Sequence, residues 1–331
     1  MRSGVKRYTL TGKGSLWIAG FCCILLFLSF SQAPITLAPD YEKPFVIVLG
    51  TTQDAGSPQA GCSGTCCSAL FERPDPERKV SCLGLVDQEA GKTYLFEAGP
   101  DFKQQVYLLQ KECKVKSPGS LPDGIFVSHA HIGHYTGLMQ LGREAVNSHN
   151  IPVYVLPGMK NFLENNAPYS QLCRLQNIRL QTLRRDSILQ LGQGLSVQVL
   201  QVPHRDEFSE TAAYIIRGRK QKVLFIPDID KWEKWDKDIL KIIHEVDCAF
   251  IDGTFYTQDE LPGRNLKEIP HPTVKESAAL FASLSASDKA KIHFIHFNHS
   301  NPLLNANSEA CRDLKYLGFN RATYLQKIIL D

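Results

Sequence analysis

The apolar positions of this chain fall into short continuous runs rather than long helical stripes. "FVIVLG" (45–50), "SCLGLVD" (81–87), "KTYLFEAG" (92–99), "DGIFVSHA" (123–130) and "IPVYVLP" (151–157) read as strands. So do "LSVQVLQVPH" (195–204), "AAYIIRG" (212–218), "KVLFIPD" (222–228), "CAFIDGT" (248–254) and a final strand, "KIHFIHFNHS" (291–300). Runs this apolar, without strict alternation, suit strands covered on both faces. Helical spacing appears between them in "DFKQQVYLLQKE" (101–112), "TGLMQLGREAV" (136–146), "KWEKWDKDILKIIHEV" (231–246) and "TVKESAALFASLS" (273–285). Interleaved strands and helices predict an α/β fold. No period of 20 to 50 residues and no Pro/Gly/Ser-rich linker interrupts residues 41–331, so one domain is expected there.

The first residues change that picture. Arg2, Lys6, Arg7 and Lys13 precede the apolar run "SLWIAGFCCILLFLSF", which leads into "SQA" with small residues at Ser31 and Ala33. A basic start, an apolar stretch and a small-x-small site describe a secretory signal peptide, or an uncleaved signal anchor. The expected organisation is therefore a leader over 1–33, a linker over 34–43 and a catalytic body over 44–331, exported or anchored by the leader. The whole chain carries a formal charge of +3, and the first 33 residues hold four basic and no acidic residues. The body is thus near neutral, which argues against a nucleic-acid partner and for a small-molecule substrate. Membrane contact is expected only through an uncleaved leader, and the sequence leaves the oligomeric state open.

Polar residues with metal-binding chemistry keep arriving where the strands end. His129, His131 and His134 lie within six residues after one strand, His204 ends another, Asp228 a third and His296 a fourth. Three imidazoles that close together are gathered for a metal rather than for packing. Isolated histidines deserve the plainer reading of surface or core residues, and His149, His244, His271 and His293 are taken that way. Open α/β sheets place their sites at strand ends. Asp101 and Asp252, also just past strands, are candidates to orient the ligating histidines or to cap a following turn. Tyr135 and Thr136 are expected to cap the following helix, and Asn298 and Asn301 to meet substrate. Trp232 and Trp235 read as packing residues.

"SHAHIGHYTG" (128–137) resembles the H-x-H-x-D-H loop of the metallo-β-lactamase fold hydrolases, and the later His, Asp and His follow in that family's order. "VLGTTQDAGSPQAGCSGTCC", "FEAGPD", "VPHRDEFSETAAY", "IPDID", "FIDGTFY" and "HFNHSNPLL" are similar to the pyrroloquinoline-quinone biosynthesis B group and its phosphodiesterase relatives. The resemblance implies an αββα sandwich with a metal site along one edge. It further implies one ion on His129, His131 and His204, and a second on His134 and His296, with Asp228 bridging. Three neutral imidazoles and an open position form a hydrolytic zinc arrangement, in which bound water falls from a pKa of 15.7 to about 7. One or two catalytic zinc ions are expected, with iron or manganese as alternatives, and His134 and Asp228 as the catalytic pair beside them.

Gly133 stands where the family's pattern has an aspartate. The second site then keeps one carboxylate instead of two. Either it is weakened, leaving a mononuclear site, or Asp101, Asp206 or Glu207 replaces the missing group. The resemblance also implies a structural zinc on Cys62, Cys66, Cys67 and His299. The spacing C-x₃-C-C argues against both adjacent cysteines ligating one ion, and a disulfide from Cys62 is the competing reading. The other cysteines of the body read as buried free thiols. The functional expectation is a zinc-dependent hydrolase of an ester, a small-molecule phosphodiester first. Its competitors are an oxidative iron enzyme and a non-catalytic binding protein with a vestigial site.

Overall fold

The computed structural model describes residues 43–114, 116–260 and 269–331; the leader lies outside them. Fourteen strands form two sheets among these residues. In the first, β1 (Phe45–Gly50), β2 (Cys82–Asp87), β3 (Lys92–Phe96), β4 (Gly124–Phe126), β5 (Ile151–Val155) and β6 (Ile178–Thr182) lie in order, with β14 (Lys327–Ile329) outside β1. The second runs from β7 (Ile188–Gly192) through β8 (Leu195–Val202), β9 (Thr211–Arg217), β10 (Lys222–Ile226), β11 (Cys248–Asp252) and β12 (Ile292–Ile295) to β13 (Asn320–Arg321). Each sheet is antiparallel over its first three pairings and parallel over its last three.

Three apolar layers follow from the continuous strand runs. Val46, Val48, Phe96, Phe126, Val199, Tyr214, Phe225 and Phe250 fill the space between the sheets. Phe126 stacks on Phe96 and Tyr154 with ring centroids 4.6 Å apart in both pairs. The opposite faces of β1 to β5 are covered by residues 102–112 and 157–165, through Phe102, Leu109, Met159 and Leu163. Residues 239–245, 274–280 and 309–316 cover β10 to β12, through Ile239, Ile243, Val274 and Leu314. This is an α/β fold as the strand and helix pattern predicts, and the αββα sandwich that the family resemblance implies.

Two predicted helices and one strand differ from expectation. The segment 136–146 is a 3₁₀ turn, Thr136–Leu141, rather than an α-helix to residue 146. Gly137 approaches the β3 strand end so closely that an added Cβ would lie 2.4 Å from the Gly99 carbonyl oxygen. The segment 231–246 breaks into a 3₁₀ turn, Trp232–Lys234, and an α-helix, Ile239–Glu245, because Asp238 accepts hydrogen bonds from the Leu240 and Lys241 amides and starts a new helix. β12 is not the last strand; β13, two polar residues, and β14, Lys-Ile-Ile, follow as edge strands too short to show as a strand pattern.

Candidate metal centre

The parallel strands deliver their polar ends to one edge of the sandwich. His129 and His131 follow β4, and the short helix Ile132–Tyr135 carries His134. From the second sheet, His204 follows β8, Asp228 follows β10 and His296 follows β12. All six converge as the sequence predicts, and all but His131 are buried. His296 is held in left-handed backbone at φ 66°, a costly conformation for a non-glycine residue that recurs at functional sites.

Two cages result. In the first, donor atoms of His129, His131 and His204 lie within 4.8 Å of one another. Ser128 Oγ sits 2.8 Å from His129 Nδ1, leaving Nε2 to face His131 Nδ1 at 2.7 Å. The far nitrogen of His131 is 3.0 Å from Glu207 and 3.3 Å from the Arg205 guanidinium. Neither nitrogen of buried His204 has a hydrogen-bond partner among the described residues. Burial lowers all three imidazoles, His204 to about 4, so they are neutral at pH 7 and have lone pairs to give.

The second cage holds four residues rather than three: Asp54, His134, Asp228 and His296. Asp54 Oδ1 is 3.1 Å from Nε2 of both His134 and His296. Asp228 Oδ2 is 3.1 and 3.3 Å from the same two nitrogens. A tetrahedral zinc with bonds of about 2.0–2.1 Å has ligand–ligand edges of about 3.3–3.4 Å, so these donors are spaced for an ion. Burial opposes charge here, but the groups overcome it together. The imidazoles hold both carboxylates well below their usual range, and the carboxylates with Glu97 hold His134 well above its own. Asp228 also reaches the first cage, with Oδ1 3.8 Å from His204 Nε2.

The outer nitrogens face buried oxygen atoms. His134 Nδ1 lies 3.3 Å from Glu97, a fully buried carboxylate at φ 82° just past β3. His296 Nδ1 lies 2.9 Å from Thr254 Oγ1, which donates to Asp252 at 2.7 Å. Asp252 also holds His271 Nδ1 at 2.7 Å, and His271 lies 3.9 Å from Asp228. Burial works against the His271 proton, but Asp252 outweighs it and raises this imidazole above its ordinary value.

Several expectations need correction. His271 is part of the centre, not a bystander; "EIPHPT" carries no strand-end signal because its position is set by Asp252 across the fold. Asp101 orients no histidine, since it accepts from the Val80 amide and pairs with Lys79. Glu207 contacts His131, Asp206 is in neither cage, and the replacement carboxylate is Asp54. Asn301 is buried and spends its amide on Gly253 and Leu303. Thr136 caps the preceding rather than the following element: it is the C-cap of Ile132–Tyr135, and its hydroxyl donates to the Ile132 carbonyl. Asp54 and Glu97 both follow strands, so the strand-end rule applied to "TTQDAG" and "FEAG" would have found them.

The thiol cluster forms. Cys62, Cys66, Cys67 and His299 bring four donor atoms within 4.8 Å, and no disulfide joins the described cysteines. Both adjacent cysteines take part: sulfur separations are 3.7 Å for Cys62–Cys66 and 3.9 Å for Cys66–Cys67. Zinc–sulfur bonds of about 2.3 Å require an edge of about 3.8 Å. The cluster therefore has the dimensions of a closed Cys₃His site.

The beta-lactamase superfamily domain matches residues 92–294. The chain belongs to this superfamily. It is 25% identical to the coenzyme PQQ synthesis protein B of Acinetobacter baumannii over 295 residues, which covers 82% of this chain and 95% of that protein. The corresponding Klebsiella pneumoniae protein is 26% identical over 301 residues, covering 83% and 94%. Among solved structures, zinc-bound PqqB from Methylobacterium extorquens superposes with a TM-score of 0.70 at 20% identity, covering 86% of this chain and 99% of that one. A diphosphatase of the PhnP family superposes at 0.60 and 19% identity, covering 87% and 97%. Within the superfamily the chain is similar to the PQQ synthesis B proteins along most of its length, and its donor clusters could hold metal ions. The expectation of an exported or anchored protein is corrected: relatives matched nearly end to end are named for synthesis of a coenzyme. No helix among the described residues is long and apolar enough to cross a membrane.

Proposed function

We propose that this superfamily member is a zinc-dependent hydrolase of a small-molecule phosphodiester. The observation that carries the reading is the pair of adjacent cages, one of three neutral imidazoles and one of two imidazoles and two carboxylates, with Asp228 facing both. Zinc in such cages supplies Lewis acidity and activates water at neutral pH, and two ions suit displacement at phosphorus. His129, His131 and His204 would hold one ion, and Asp54, His134, Asp228 and His296 the other. Asp252 holds His271 Nδ1 at 2.7 Å and raises this imidazole above its ordinary value, so His271 is the group suited to protonate a leaving oxygen. Arg205, half-exposed beside His131, is placed to orient a phosphate oxygen. Ile132 and Phe208, more than half exposed on the same loops, offer an apolar rim for the alcohol portion. The near-neutral body favours a small substrate over nucleic acid.

The test is hydrolysis of bis(p-nitrophenyl) phosphate by zinc-loaded protein, against the monoester, a thioester and a chromogenic lactam. Diester cleavage that disappears in His131→Ala and slows in His271→Asn supports the proposal. Absence of diester cleavage with both zinc and manganese refutes it. A second reading, oxidation with iron and oxygen, draws on the relatives named for coenzyme PQQ synthesis; retained iron with oxygen uptake would favour it.

A further inference from the structure

We propose that Asp54 and Gly133 form an exchanged pair: the second carboxylate of the buried centre has moved onto the loop after β1, and glycine at 133 is what admits it. This rests on the metal-binding reading above and deepens it by naming the group that completes the second cage.

The first observation is steric. A Cβ on Gly133 would lie 2.5 Å from Asp54 Cα and 2.6 Å from its Cγ and Oδ1. Those separations are far inside van der Waals contact, so a side chain at 133 and the carboxylate of Asp54 compete for one volume. The second is the donor geometry. Asp54 Oδ1 stands equally far, 3.1 Å, from the inward nitrogens of His134 and His296, the two nitrogens that Asp228 Oδ2 approaches at 3.1 and 3.3 Å. The third is the way the loop is held. Thr52 bridges to Val80 and Phe297, and the Gln53 amide donates to the Phe297 carbonyl at 2.8 Å. Asp54 is thereby fixed to the end of β12, beside His296. Its side chain is only 12% exposed, and burying an acidic group there makes sense when it faces cations.

The exchange restores two negative charges to the second cage, matching a divalent ion, where position 133 alone would leave one. It also makes an unusual demand on Gly133, which donates no atom to the metal. Substituting it should still empty the second cage.

The experiment uses full-length protein equilibrated with zinc, with bound metal counted by elemental analysis and affinity measured by chelator competition. Cobalt(II) absorption reports the coordination of each site independently of activity. Asp54→Asn and Gly133→Ala should each hold one equivalent less than the parent protein, or bind it at least tenfold more weakly, while the three-histidine site keeps its ion. Asp54→Gly combined with Gly133→Asp should recover part of that equivalent. Unchanged stoichiometry and affinity in Asp54→Asn overturns the inference even if the protein is a metalloenzyme. So does a parent protein with a single ion in the centre. A parent that binds no metal there overturns the functional reading as well.

Discussion

Thr254→Val replaces one buried hydroxyl with a methyl of nearly the same volume. The residue is 1% exposed, so the change alters little besides hydrogen bonding. Its Oγ1 accepts from His296 Nδ1 at 2.9 Å and donates to Asp252 Oδ1 at 2.7 Å. The first bond sets the His296 tautomer, placing the proton on Nδ1 and the lone pair on Nε2, which faces Asp54 and Asp228. The second ties that imidazole to the carboxylate that also grips His271. Without the hydroxyl, His296 Nδ1 is left unpaired in a fully buried place, which costs about 1–3 kcal/mol of stability. Partners of this kind are worth about 10–100-fold in metal affinity, or about 1.4–2.7 kcal/mol. Chelator competition should therefore show the second zinc weakened by that factor and the first unchanged, with Thr254→Ser largely normal. An affinity in Thr254→Val equal to the parent's would refute the claim that this hydroxyl orients His296.

His204 is neutral in the native state down to about pH 4, whereas an unfolded chain protonates it near 6.5. Between those values the unfolded state binds more protons, so this residue's contribution is full above 6.5 and is lost as pH falls towards 4, by about 2–3 kcal/mol. Metal-stripped protein should melt lower at pH 5 than at pH 7, with the drop reduced in His204→Asn; equal drops would count against it. Replacing Cys62, Cys66 and Cys67 with serine should remove one zinc by elemental analysis and lower the melting temperature, leaving the imidazole cages filled; an unchanged zinc count rejects the thiolate site. Phe126→Ala empties the stack between the sheets and should cost about 3–5 kcal/mol in denaturant unfolding. A loss below 1 kcal/mol would mean that the inter-sheet layer collapses around the gap.

Local sequence determined a great deal here. Strand runs apolar on both faces leave no stable arrangement but sheets covered from both sides, and β1, β2, β9 and β11 occupy the runs that announce them. Donors placed directly after those runs arrive at one edge because parallel strands end together, which is why His129, His131, His204, Asp228 and His296 were legible. The edge strands were not, since β13 and β14 are only two and three residues long and the Ile and Leu of β7 stand in a short stretch broken by Gln190. Helix termination was also hidden where it depended on a neighbour, as at Gly137 against the end of β3.

What only the tertiary structure decided is what each donor faces. Gly133 reads from the sequence as a missing ligand, yet in space it is the room that Asp54 occupies from 79 positions earlier in the chain. His271 reads as an ordinary histidine until Asp252 is found against it, and Glu97 as a strand end until His134 is. Spacing along a chain reports which residues share an element, but a donor's charge, tautomer and partner are set by groups that folding brings within about 3 Å, where Coulombic and hydrogen-bond energies become decisive.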